Sequence, residues 1–178
     1  GGGFYPSVIP SPIKKHILNN PAWYTAYTPY QSEISQGRLE LLFYYQQMVS
    51  NITNLPLSNA GLLDEASSGA EAVTMLWNAL TRKKDTRKLL ISNNLFPATL
   101  ESIKTRCYYL DIEYDIIDET NENSLVSLEE YFAMILQYPD KYGRVNTKIE
   151  NIIKSANEAN CKVACATDLM ACHIIKSP

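Results

Sequence analysis

The chain has 178 residues, of which 46% are apolar and 20% charged, and it carries a formal net charge of −3. That balance suits one folded domain with a real core and excludes a disordered chain. The slightly acidic pI of 5.4 gives no basic field for nucleic acid or anionic lipid, and no apolar run reaches the ~20 residues needed to cross a bilayer. Neither nucleic acid nor a membrane is expected as a partner.

In chain order, the first thirty residues hold Pro6, Pro10, Pro12, Pro21 and Pro29 among Trp23, Tyr24, Tyr27 and Tyr30. They read as loops around one short helix from Pro12 to Asn19, too rich in large rings to be a flexible linker. Such rings are expected to pack on something, another chain included. From Ser32, with Ser35 as a second N-cap candidate, apolar residues recur at Leu39, Leu42, Phe43, Met48, Val49 and Ile52. This spacing predicts a long amphipathic helix, ended by Pro56. A second helical region follows through Leu62, Leu63, Ala70, Val73, Leu76 and Leu80, its main part opened by Ser67, Ser68 and Gly69. Arg82, Lys83, Lys84 and Arg87 crowd its end, where cations suit the helix dipole.

Strand and helix then alternate: a strand at Leu89 to Ser92, a helix from Pro97 to Tyr109 and a strand at Asp111 to Ile117. After a helix-to-loop stretch around Ser127 to Tyr131 come a strand at Ala133 to Gln137, a helix from Lys148 to Asn160 and a small buried strand at Val163 to Ala166. Parallel strands need crossover helices, so this order predicts an α/β fold: a mostly parallel sheet with helices on both faces. Residues 1–31 form an N-terminal loop and helix segment, and 32–178 a single domain. Ligands would lie beyond the carboxyl ends of the strands.

Two segments have an obvious chemical use there. Ser67-Ser68-Gly69 at a helix start offers backbone N–H groups to a phosphate, or simply caps the helix. Asp168, just past the last strand, can pair with a protonated ring nitrogen or cap the turn that follows. Cys107, Cys161, Cys165 and Cys172 show no metal or redox spacing and read as buried or half-buried free thiols. No metal is implied. Gly1 to Gly3 run into Phe4 without an initiator methionine, and Ser177-Pro178 follow an apolar segment, so a fragment of a longer protein is expected.

The segment from Asn20 to Gln31, Asn-Pro-Ala-Trp-Tyr-Thr-Ala-Tyr-Thr-Pro-Tyr-Gln, with Glu33-Ile34-Ser35-Gln36-Gly37-Arg38-Leu39-Glu40 after it, resembles the signature of the glycine decarboxylase P-proteins. The likeness continues at Tyr45-Gln46, Asn59-Ala60, Leu62 to Ala66 and Ala70 to Ala72, and resumes at Gln137 to Asp140, Gly143 and Ala164 to Leu169. It is poor from Leu80 to Met134. The resemblance implies part of the large domain of a fold-type-I pyridoxal-phosphate enzyme, belonging to the N-terminal of the two homologous halves of a long P-protein. The cofactor's lysine is then expected outside this chain, with no catalytic residue inside it. The implied reaction decarboxylates glycine and passes the aminomethyl group to the lipoyl arm of the H-protein. Implied partners are the lipoylated H-protein and the chain's own C-terminal half or a partner subunit, in a dimer.

By the same resemblance, Tyr27, Thr28, Tyr30, Gln31 and Glu33 wall the pocket that faces substrate and cofactor, although the tyrosines equally suit interface packing. Ser35 and Gln36 either cap the long helix or touch ligand, and Asn59, Asp64 and Asp168 are further candidates. One departure stands out: the family's usual His-Pro pair after the first strand is Phe96-Pro97 here. That favours a half without its own cofactor, and leaves open a non-catalytic paralogue that binds the H-protein or a partner half. An unrelated fold-type-I enzyme such as an aminotransferase is a third reading. The location implied is the mitochondrial matrix in a eukaryote and the cytoplasm in a bacterium.

Overall fold

The computed structural model describes residues 5, 7–24, 28, 30, 31, 33, 35–80, 87–121 and 127–177. The chain divides into two compact units, one of Tyr5–Gly61 with Lys176 and Ser177, the other of Leu62–Ile175.

The larger unit begins with helix α3 (Glu65–Leu80) and then alternates β1 (Lys88–Ser92), α4 (Pro97–Leu110), β2 (Tyr114–Ile117), β3 (Tyr131–Gln137), α5 (Ile149–Glu158) and β4 (Lys162–Ala166). Helices α1 (Ser11–Leu18) and α2 (Arg38–Thr53) belong to the smaller unit. All four strands are parallel, in the order β2-β1-β3-β4, with Leu90 aligned to Asp115 on one side and to Met134 on the other. The expected α/β class, with helices on both faces, is the one observed.

Each face of the sheet is sealed by residues of alternating direction. Leu89, Ile91, Ala133 and Ile135 pack with Val73 of α3 and Ile103 and Cys107 of α4. Leu90, Met134 and Leu136 turn the other way, onto Ile149 and Ala156 of α5. The alternation slips once: Lys88 pairs with Tyr131 but Leu89 with Ala133, so Phe132 is the extra residue of a bulge. Phe132 thereby joins Ala133 on the α3 side, where its ring meets Trp77 edge-on at 5.2 Å. The strand expected from Ala133 thus starts two residues earlier.

Helix boundaries differ from the sequence reading for local reasons. Asp111, expected in a strand, terminates α4 with φ 54°, and the Ile112 N–H returns to the Cys107 carbonyl at 2.9 Å. The strand therefore opens at Tyr114. At α3 the helix starts at Glu65, two residues before Ser67: the Ser67 N–H donates to Asp64 Oδ1 at 2.7 Å, and Ser68 donates through both N–H and hydroxyl to the Asp64 carbonyl. Asp64 is the cap, so Ser67-Ser68-Gly69 offers no open N-terminus to a phosphate. Gly69 serves packing instead. A Cβ there would lie 2.8 Å from Thr99 Cγ2 on α4, and the same contact is tied by Arg106, which reaches Glu71 at 2.8 Å and Thr74 at 2.6 Å.

In the smaller unit α2 begins at Arg38, behind Gly37, whose φ of 78° favours glycine. Ser32 lies outside the described residues. The Ser35 hydroxyl donates to the Thr28 carbonyl at 2.7 Å, and the N-cap of α2 is Gly37, so Ser35 closes a loop where capping was one of two expectations.

Candidate active site

The carboxyl edge of the sheet carries a polar network assembled from three strand ends. After β1, the Asn94 amide donates to Asp118 Oδ1 at 3.0 Å and to Glu119 Oε2 at 3.3 Å, both just past β2. The Ser92 hydroxyl donates to the same Glu119 oxygen at 2.6 Å, and accepts the Asn94 N–H. From the end of β3, Lys141 donates to the Asn93 carbonyl and Arg144 to Asn94 Oδ1 at 3.4 Å, while Gln137 Oε1 accepts the Phe96 N–H at 3.5 Å. The loop Asn93–Phe96 is thus held from both sides.

Asp140 organises the turn after β3, where Tyr138-Pro139 is cis. Its carboxylate accepts N–H bonds from Tyr142 and Arg144 at 2.8 and 2.9 Å and the Arg144 guanidinium at 2.6 Å. Burial pushes the Asp140 carboxyl up, but these donors together hold it below the ordinary carboxylate range. Hydrogen bonds from Thr120 and Asn94 lower Asp118 likewise. Because the folded-state pKa of Asp140 is depressed, its stabilisation is present above the unfolded carboxylate pKa and is lost as pH falls through the folded value. Asp140→Asn is therefore expected to cost about 1–3 kcal/mol at neutral pH and to flatten the acid side of the stability curve. Denaturation midpoints from roughly pH 6 to pH 3 check it.

The sequence singled out none of Ser92, Asn94, Asp118, Glu119 or Arg144. Ser92 ends β1, and Asn94, Asp118 and Glu119 stand within two residues of a strand's end, so the rule that ligands lie at strand carboxyl ends, applied to every strand and not only the last, would have found these four; Arg144, further along the turn after β3, carries no such mark.

Of the residues expected to face a ligand, Thr28, Tyr30, Gln31, Glu33, Ser35 and Gln36 share the loop that leads into α2. Thr28 is half-buried and bonds twice inside the loop, its hydroxyl accepting the Tyr30 N–H at 3.3 Å and its carbonyl the Ser35 hydroxyl. Ser35 is buried, and its carbonyl accepts the Arg38 N–H at 3.0 Å, joining the loop to the first turn of α2. Arg38 in turn donates to the Ala22 carbonyl and lies over the Trp23 ring at 6.0 Å. Tyr30, Gln31, Glu33 and Gln36 are exposed on this tethered loop. Tyr27 lies outside the described residues. Asn59 is spent on its own turn, accepting the Gly61 N–H at 3.0 Å.

Asp168 follows β4, half-buried, with Oδ1 accepting the Met170 N–H at 3.0 Å. Phe96 is 7% exposed at the start of α4, so its ring is packed inward and offers no face to a ligand. All four cysteines are free; burial pushes Cys107 and Cys161 up to about 11 and Cys165 to about 12, so those three rest as neutral thiols.

Comparison with known proteins gives this edge its context. The family description "Glycine cleavage system P-protein" matches residues 1–178, the whole chain. The chain belongs to that family. A glycine dehydrogenase (decarboxylating) of Flavobacterium johnsoniae is 41% identical over 181 residues, covering all of this chain and 19% of the relative. One from Idiomarina loihiensis is 42% identical over 178 residues, 18% of its length. This P-protein chain therefore spans under a fifth of the curated relatives it matches. Among solved structures, a glycine decarboxylase (P-protein) of the glycine cleavage system in inhibitor-bound form superposes on all of it with a TM-score of 0.86 at 25% identity, over 40% of that chain. An aminotransferase from Helicobacter pylori shares the fold at a TM-score of 0.57 and 11% identity, covering 97% of this chain and 49% of that one. The sheet is that of the fold-type-I pyridoxal-phosphate enzymes.

The cofactor of that fold needs a phosphate cradle, a partner for its ring nitrogen and a surface against its ring. On this P-protein segment the three do not assemble. Asp64, its carboxyl lowered by the Ser67 hydrogen bonds, puts a negative charge at the start of α3 where a phosphate would be held. Phe96 is turned inward, and Asp168, with one oxygen on the Met170 N–H and a second oxygen able to meet a ring nitrogen, is the one element of the three that is present. These residues do not by themselves fit pyridoxal phosphate.

Proposed function

We propose that this chain is part of a pyridoxal-phosphate-dependent glycine decarboxylase, which releases CO2 from glycine and passes the aminomethyl group to the lipoyl arm of the H-protein. The chain supplies the half without the cofactor's lysine, and another part of the protein holds the cofactor. The observation that carries this reading is the match over the entire chain, in sequence to glycine dehydrogenases and in shape to a P-protein.

Within that enzyme the task of these residues is to complete a pocket. The loop from Thr28 to Ser35 is fixed at its base by Ser35 and Arg38 and leaves Tyr30, Gln31 and Glu33 exposed. Tyr30 offers a ring and a hydroxyl, Gln31 one donor and one acceptor group, and Glu33 a carboxylate suited to an amine. A tethered base with free polar tips orients a small substrate better than a loose loop does.

The test is the full-length protein with glycine labelled in its carboxyl carbon and lipoylated H-protein. Release of labelled CO2 that depends on the lipoylated carrier is the expected result. The inward Phe96 and the Asp64 cap favour a second reading, a non-catalytic paralogue that binds the carrier; under it the complex forms and no CO2 appears.

A further inference from the structure

The two faces of the sheet are covered unequally. Helices α3 and α4 close one face, whereas on the other α5 alone packs on Leu90, Met134 and Leu136. Between α5 and the end of β2 this leaves a cleft of about 430 Å3. Ligand pockets run from about 300 to 1,000 Å3, so the cleft belongs with the smaller of them. One helical turn with its side chains, roughly 10–12 Å across and 5.4 Å high, would already fill it. It suits a small molecule and not a protein segment.

Its two walls differ in kind. The sheet wall holds Ile117, Leu128 and Met134, which pack with the apolar core of this face. The α5 wall is polar. Asn151 and Ser155 stand one turn apart on the helix and Thr147 just ahead of it, and none of these side chains has a hydrogen-bond partner among the described residues. Asn146, in the turn before α5, lines the cleft too. Its Oδ1 accepts the Lys148 N–H at 2.9 Å, but its Nδ2 is buried with no partner. A buried amide N–H is costly without an acceptor, so what this wall lacks is a carbonyl oxygen. The charges at the rim, Glu119 and Lys148, are opposite in sign, and no net field selects an ion.

We propose that this cleft binds a neutral acyl amide. The acyl chain lies on Ile117, Leu128 and Met134, and the carbonyl oxygen accepts N–H groups from the Asn146 and Asn151 side chains. The site uses only the sheet and the segment from Asn146 through α5, so it can fail while decarboxylation holds, and the reverse.

Saturation-transfer NMR with octanamide and the full-length protein tests it. Saturation of the octanamide chain protons is expected, with a Kd of about 1 mM or tighter, within reach of a ligand that small. Asn151→Ala, a truncation on the helix surface, is expected to weaken binding by about fivefold or more, the scale of one hydrogen bond. Asn157→Ala, also exposed on α5 but outside the cleft, leaves it unchanged. Asn146→Asp keeps an acceptor for the Lys148 N–H, removes the free donor and is expected to abolish binding. Octanoate, which brings a charge into an apolar cleft, should bind about fivefold more weakly or worse. No saturation of octanamide, binding indifferent to Asn151→Ala or Asn146→Asp, an equal loss with Asn157→Ala, or octanoate binding as well as the amide would each overturn the inference.

Discussion

Gly69→Ala is expected to destabilise the protein by about 1–2 kcal/mol, although alanine is the better helix former by about 1 kcal/mol. The new methyl would lie 2.8 Å from Thr99 Cγ2, closer than packed carbons tolerate, and 3.4 Å from Ile103 Cδ1, at the edge of ordinary contact. Neither neighbour yields easily. Thr99 is β-branched and 2% exposed, and Ile103 is fully buried in the core beneath α3 and α4. Overpacking of this kind costs about 1–3 kcal/mol, which exceeds the helix gain. Gly69→Val should cost about 3 kcal/mol or more, a fall in Tm of roughly 6–12 °C for a domain of this size. The decisive measurement is a double-mutant cycle with Thr99→Ser, which deletes the offending methyl. In that background Gly69→Ala is expected to turn neutral or stabilising; a cost that persists unchanged would show that the close approach of α3 to α4 is not its cause.

The same glycine shows which parts of the molecule the sequence makes legible. The places of strands and helices along the chain follow from periods of 2 and 3.6 and from Pro97 at the first turn of α4, because those signals are local. Asp64 and Gly69 were harder. A serine pair before a glycine carries the local mark of a helix start, and only the tertiary contact with Thr99 shows that this glycine serves a neighbouring helix. Phe132 escaped for a related reason, since a bulge exists only relative to the strand beside it. The carboxyl-edge network joins Asn94 to Asp118 and Arg144, residues 24 and 50 apart in sequence. No spacing rule connects them. The loop before α2 was recognisable as a signature, whereas the tether that fixes it, Ser35 to Thr28, depended on a backbone carbonyl that sequence does not display.

Gln31→Ala in the full-length protein is expected to lower glycine–bicarbonate exchange roughly 10- to 100-fold, the scale set by losing one group that orients a small substrate. Gln31 is exposed on a loop whose base is fixed, so truncating it leaves the tether from Ser35 and the cation–π contact of Arg38 with Trp23 in place. Stability and the absorbance of the lysine-bound cofactor should therefore stay unchanged, which separates a pocket role from a folding role. Ser35→Ala probes the tether itself. It removes the 2.7 Å bond to the Thr28 carbonyl, worth about 1 kcal/mol, and should lower exchange by roughly fivefold by loosening Tyr30 and Gln31 together. In a loosened loop Gln31 no longer has a fixed position to lose, so adding Gln31→Ala to Ser35→Ala should cost less than Gln31→Ala alone. Full additivity of the two, or exchange unaffected by Gln31→Ala, would remove the loop from the pocket and leave its exposed tyrosine to interface packing.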